Sequence, residues 1–180
     1  TPGSHVYFDY AQSENEDSIT ISGYTSLEKV YAYEPIPAEL PEDKHHFVMG
    51  AQANVWTEYM TNPRKVEYMI FPRLAALSEV LWTPKEKRSW EQFEKKLPQL
   101  FSNYKKNKIN YSTAYYDVHS LVVKDSVNKS LLWKLFTTAK DCKITYSTTK
   151  DTAASEYTTP LAVRSTQTIK AIISVNRSEE

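Results

Sequence analysis

The sequence is short of several things, and each shortage excludes something. It has one cysteine, Cys142, so no disulfide can close within the chain and no cysteine-based metal site can form. It has no excess of either charge, with 22 basic and 22 acidic residues. Recognition of a phosphate backbone needs a clustered basic face, so no nucleic-acid partner is expected. The charged run PKEKR at 84–88 mixes both signs and reads as a solvated helix start. No apolar run approaches the ~20 residues of a membrane span, and the opening TPGSHVYF has neither a basic nor an apolar leader segment. With no initiating Met, that opening reads as the interior of a longer polypeptide. His5, His45, His46 and His119 have no ligand spacing, so no metal is expected at them. There is no repeat at a solenoid or propeller period.

What is present is a globular composition, 41% apolar and 13% aromatic, with 13 Tyr and 4 Trp in 180 residues. So many rings serve either core packing or the stacking of flat ligands. Val6–Tyr10 (VYFDY) reads as a strand behind Pro2-Gly3-Ser4, followed by a polar loop over 11–20. Residues 24–35 read as a short helix capped by Ser26 or Thr25, and the three prolines of 35–46 as loop. Phe47-Val48-Met49 opens a second strand, apolar on both faces, with Gly50 marking a bulge or a close approach. Asn62-Pro63 starts a helix, with Val66, Ile70, Leu74, Leu77 and Leu81 at helical spacing and a break at Pro72. Ser89 and Gln92 form a capping box for a further helix. Its stripe is Trp90, Phe93, Leu97, Leu100, Phe101 and Tyr104, with a kink expected at Pro98. Beyond Asp117 the chain turns rich in Ser, Thr and Val. KITYST, PLAVRS and TIKAIIS alternate as strands, so 118–180 reads as a small all-β appendage. Sequons at Asn110, Asn128 and Asn176 are of a kind common by chance and carry no argument.

The two strand readings share a pattern. Tyr7 and Asp9 close the first, and Trp56 and Glu58 close the second. Residues i and i+2 of a strand point the same way, so each end offers a ring beside a carboxylate. Strand, long loop, strand, helix is the order of a parallel α/β unit, and in an eight-stranded barrel the strand C-termini face the active site. A carboxylate accepting from hydroxyls beside an aromatic ring suits a carbohydrate. Each residue also has a plainer reading: Asp9 in a turn, Glu58 capping the Asn62 region or paired with Arg64, and Trp56 in a core.

GAQANVWTEYM followed by VEYMIFPRLAALSEVLW closely resembles the last barrel strand and helix of family 20 glycoside hydrolases, the β-N-acetylhexosaminidases. PGSHVYFDY resembles their seventh strand, and YAYEPIP the segment between. Residues 1–117 are therefore expected to be the C-terminal part of a (β/α)8 TIM barrel, its last two strands and helices. More loosely, the stretch from ITYSTTKD to IKAIIS resembles the β-domain appended to chitobiase-like members, here 118–180. The resemblance implies a retaining enzyme, without metal or cofactor, that releases terminal N-acetylglucosamine or N-acetylgalactosamine from glycans. The substrate's own 2-acetamido oxygen is then the nucleophile. It implies that Tyr7 orients that acetamido group, that Asp9 and Glu58 hold sugar hydroxyls and that Trp56 walls the pocket. It also implies a secreted or periplasmic location.

Two departures stand out. The family's adjacent Asp-Glu pair, which orients the acetamido group and serves as general acid/base, is absent. The only such neighbours run in the order Glu-Asp, at 16–17 and 42–43. Residues 10–30 contain no Trp, leaving Tyr10 or Tyr24 to face that side of the pocket. Arg73 and Glu79 match family positions and read as structural. The expectation is a portion of a hexosaminidase that holds sugar and is inactive alone, completed by the missing N-terminal part of the barrel. Two strands cannot close a barrel, so the chain alone should be poorly stable, swapped or paired with that part. The alternatives are a non-catalytic carbohydrate-binding or structural module and a degenerate homologue.

Overall fold

A computed structural model describes residues 3–15, 19–126, 128–149, 151–163 and 165–175. Glu16-Asp17 and the Asn176 sequon lie outside the described residues. The chain is mixed α/β and divides into two compact units, Thr1–Ala114 and Tyr115–Glu180.

The first unit begins with α1 (Gly3–Val6), a single turn, where the sequence predicts a strand start. The backbone then makes one parallel bridge, Tyr7 to Asn54. The Phe8 N–H donates to the Asn54 carbonyl and the Asn54 N–H to the Val6 carbonyl, both at 2.8 Å. Next the chain turns instead of extending, with the Tyr10 N–H reaching the Tyr7 carbonyl at 3.4 Å. Phe8 and Asp9 are both buried, which adjacent residues of a two-faced strand rarely are. β1 (Tyr10–Ala11) pairs in parallel with β2 (Ile21–Tyr24), a strand that the polar run before it concealed. Gly23 is required there. Its φ is +143°, and a Cβ would meet the Tyr10 ring at 2.7 Å.

The second predicted strand is also largely absent. Glu42–Phe47 is a 3-10 helix and, around the bridge at Asn54, 48–57 is irregular. Phe47 and Met49 are 68% and 97% exposed, against the expected burial on both faces. A strand needs neighbours to satisfy its N–H and C=O groups, and among the described residues only Val6–Phe8 pairs with this one. Gly50 has a φ of +155°, but a Cβ there would meet nothing within 4 Å, so conformation and not close approach explains it.

The helices follow their caps. In α2 (Leu27–Tyr31) the Ser26 hydroxyl accepts from the Lys29 N–H. In α3 (Pro63–Ile70) the Asn62 side chain accepts from the Lys65 N–H, with Pro63 at the first position. Phe71-Pro72 ends α3, and α4 (Arg73–Trp82) restarts beyond it. Of the predicted stripe, Leu77 is buried but Leu74 faces outward, and Met69, Ala76 and Val80, which lie outside that stripe, are fully buried. In α5 (Trp90–Lys106) Ser89 caps the Gln92 N–H, and the helix runs through Pro98 as one element. Tyr31 packs on Trp90 and Phe93, with ring centres 5.3 and 5.0 Å away, and its hydroxyl accepts from the Ser89 N–H. Each fully buried large apolar side chain here contributes roughly 1.5–3 kcal/mol.

The second unit is antiparallel. β3 (His119–Asp125) pairs along its whole length with β4 (Ser130–Phe136), and β4 pairs with β7 (Leu161–Val163). A second sheet joins β5 (Cys142–Thr148) to β6 (Ser155–Glu156) and to β8 (Ile169–Val175). Tyr157 ties the sheets together: its N–H donates to the Ile144 carbonyl and its hydroxyl accepts from the Leu135 N–H. β3 and β4 lie in a stretch that the composition marked only as β-rich.

Candidate functional site

The site grows from the Tyr7–Tyr10 turn. Asp9 is 5% exposed, and one of its carboxylate oxygens, Oδ1, is buried with no hydrogen-bond partner. Burial pushes its pKa up and the Glu58 charge adds to that. The backbone N–H groups of Asp9 and Trp56 and the Arg73 charge pull the other way without cancelling it. An unsatisfied buried carboxylate oxygen is costly, about 1–3 kcal/mol or more.

Asp9 and Trp56 line the same small cavity, together with Ile19, Thr20, Tyr59, Met60, Lys65 and Met69. Its volume is only about 10 Å³, against roughly 300–1,000 Å³ for a ligand pocket. The cavity is therefore too small to hold a sugar ring as it stands. Trp56 is 56% exposed and Glu58 is exposed, so neither is core. Tyr7 lies opposite Asn54, two residues before Trp56, and its ring centre is 5.7 Å from that of Tyr10. The chain thus brings Asp9 and Trp56 to one cavity, with Glu58 close enough to act on Asp9. Tyr7 stands beside them on the bridge and does not line the cavity. The turn at Phe8-Asp9 interrupts the strand alternation on which the predicted shared direction of Tyr7 and Asp9 rested.

Sequence reasoning missed Lys65, whose ammonium lies 4.5 Å from the centre of the Tyr68 ring, and it missed Ile19 and Thr20 in a stretch read as loop. It also missed that Arg73 reaches the same turn. The available signal was a cation inside the apolar run FPRLAAL. Glu79, read as structural, pairs with Lys96 at 3.0 Å.

A larger groove of about 580 Å³ runs between Glu34–Ala38 and the end of α4. None of the four predicted site residues lines it. Its carboxylate is already engaged: Glu34 meets Lys85 at 3.0 Å and Arg88 at 3.4 Å. Burial raises the pKa of Glu34, but the Lys85 hydrogen bond, the Ile36 N–H and the charges of Arg88 and Lys85 together hold it below the usual value.

Residues 1–85 match the model of the glycosyl hydrolase family 20 catalytic domain. A β-hexosaminidase of Porphyromonas gingivalis is 36% identical over 176 residues, covering 94% of this chain and 22% of that protein. A β-N-acetylhexosaminidase of Cellulomonas fimi is 36% identical over 103 residues, covering 55% of this chain and 20% of that protein. Among solved structures, the family 20 exo-β-N-acetylglucosaminidase of Vibrio harveyi in complex with N-acetylglucosamine superposes with a TM-score of 0.56. Its identity is 33%, and the match covers 63% of this chain and 18% of that one. The family 20 β-N-acetylhexosaminidase of Streptomyces coelicolor A3(2) gives a TM-score of 0.55 at 25% identity, over 63% and 23% of the two chains. The match spans about a fifth of the length of each of these two curated relatives.

Proposed function

Because this chain belongs to glycosyl hydrolase family 20, we propose that it supplies part of the sugar-binding wall of a retaining β-N-acetylhexosaminidase. The observation that carries the reading is Asp9: a buried carboxylate with an unpartnered oxygen, on a cavity it shares with Trp56. In this reading Asp9 and Glu58 accept from hydroxyls of a terminal N-acetylhexosamine and Trp56 packs on its apolar face. Tyr7 donates to the acetamido oxygen as that oxygen attacks the anomeric carbon. The acid that protonates the leaving oxygen comes from outside these 180 residues, which contain no Asp-Glu dipeptide.

Residues 1–117 are then the closing part of a (β/α)8 barrel and 118–180 an appended β-domain, in a secreted or periplasmic protein. A cavity of only about 10 Å³ is compatible with that reading, in which the other strands of the barrel complete the pocket. So is the exposure of Phe47 and Met49, since the edge that would meet further strands is bare.

The test is hydrolysis of a chromogenic N-acetyl-β-glucosaminide by the intact protein, with the anomeric configuration followed by NMR. Turnover with retention is expected, falling about 10²-fold or more in Asp9→Ala and Glu58→Ala. The 180 residues alone should do no better than a boiled control. An intact protein that binds N-acetylglucosamine without cleaving glycosides would establish the carbohydrate-binding alternative instead, and turnover by the isolated chain would overturn the assignment of the acid.

A further inference from the structure

Arg73 is the first residue of α4 and fully buried. A cation at a helix N-terminus opposes the helix dipole, and a guanidinium without water must find acceptors for five N–H donors. It finds them in backbone carbonyls. Nε and one Nη2 donor reach Met69, near the end of α3, where carbonyls lack helical partners. Nη1 donates to the carbonyls of Tyr10 and Thr25, both at 3.0 Å, and Nη2 also donates to that of Phe8 at 2.6 Å. The guanidinium carbon lies 4.8 Å from the centre of the Phe8 ring.

Phe8 and Tyr10 flank Asp9. The Phe8 carbonyl lies in the peptide plane that precedes Asp9 and the Tyr10 carbonyl in the plane one residue beyond it, so one planar fork holds the backbone on both sides of Asp9 and restricts the direction of its side chain. We infer that Arg73 is a positioning residue for the candidate site: it locks the Asp9 turn in register with the end of α3 and so aims the carboxylate into the cavity shared with Trp56. A lysine keeps the charge but offers its donors from a single point, so it cannot span the two flanking carbonyls. The functional meaning rests on reading Asp9 as a hydroxyl-binding carboxylate. The coupling between the two residues does not.

The test uses the intact protein with Arg73→Lys, Asp9→Asn and the double variant. Three readouts are taken: N-acetylglucosamine affinity, thermal unfolding, and the Asp9 titration midpoint from its carboxyl carbon resonance. Arg73→Lys should weaken N-acetylglucosamine binding about tenfold at temperatures where it is folded, and should add almost nothing in the Asp9→Asn background. An undiminished loss in that background would overturn the inference, since a general packing defect adds to the loss of Asp9.

If the wild type does not bind N-acetylglucosamine, the proposed function fails, and the midpoint decides the coupling alone. A shift of the Asp9 midpoint in folded Arg73→Lys supports it, and an unchanged midpoint overturns it. Glu58 and Lys65 also face Asp9 and are unchanged in every variant. Should Arg73→Lys not fold, the Arg73 Nε–H resonance of the wild type is followed while Asp9 titrates. Movement with the same midpoint supports the coupling, and a stationary signal overturns it.

Discussion

Asp9 and Glu34 are two carboxylates in one unit with opposite electrostatic fates. Asp9 is nearly buried with an unpartnered oxygen and has a raised pKa, while Glu34 sits between two cations and has a lowered one. For Asp9 the folded state binds its proton more tightly than the unfolded chain, so ionised Asp9 costs stability once the pH exceeds its unfolded value of 3.8. Asp9→Asn should therefore raise the unfolding free energy at pH 7 by about 1 kcal/mol. That gain should disappear as the pH falls toward 4, while sugar binding is impaired at neutral pH. Glu34→Gln should do the reverse: a loss below about 1 kcal/mol at pH 7, because the pair is partly exposed, vanishing as acid protonates Glu34. Thermal unfolding of both variants from pH 3 to 8 checks the two signs together. A destabilised Asp9→Asn at pH 7 would mean that its hydrogen bonds outweigh its desolvation.

At the scale of elements, the helices were legible because their signals are local. Asn62-Pro63 and Ser89 cap the N–H groups predicted for them, which depends on residues three apart and on nothing distant. Removing the cap with Ser89→Ala should cost about 1 kcal/mol, read from urea unfolding. α5 ends with Lys108 at φ 58°, a left-handed residue closing the helix where glycine is unstrained. Lys108→Gly should thus stabilise by roughly 0.5–1 kcal/mol. Within the last turn of α5, burial pushes the Tyr104 hydroxyl up to about 12. The unfolded phenol ionises near 10, so stability should fall as the pH rises between those values. An absorbance titration in which this tyrosine ionises only with loss of helical circular dichroism would show it, whereas early reversible ionisation in folded protein would contradict the burial. Strands were less legible. VYFDY has the composition of a strand, yet Tyr7–Tyr10 closes as a turn. Phe47–Met49 has the composition of a buried strand yet is bare, because pairing partners are not encoded in the segment itself.

At the scale of the whole molecule, the first unit leaves large apolar side chains in solvent: Met49 at 97%, Trp82 at 88%, Phe47 at 68% and Trp56 at 56%. In the reading proposed above, the rest of the barrel covers Phe47 and Met49, and a sugar covers Trp56. The 180 residues alone should self-associate, with size-exclusion mobility that depends on concentration. Phe47→Ser with Met49→Ser should shift them toward monomer. Concentration-independent monomeric elution of the unaltered chain would count against that account. Only part of the candidate site was legible for the same reason. The residue types at Asp9, Trp56 and Glu58 advertised a carbohydrate wall, but Thr20, Lys65 and Arg73 join it from segments that carry no such advertisement.

The sequence by itself determined the caps, the helix break at Pro72, the β-rich composition of the tail and the family, because each depends on residue identity at short and definite spacing. Only the tertiary structure decided that Asp9 is buried in a turn and not displayed on a strand, and that Leu74 of the predicted stripe faces outward while Leu77 is buried. It alone decided that a helix-start arginine spends its donors on the carbonyls around Asp9. Burial and hydrogen bonding are properties of neighbours brought together from up to 65 positions apart, and no local pattern encodes which neighbours those will be.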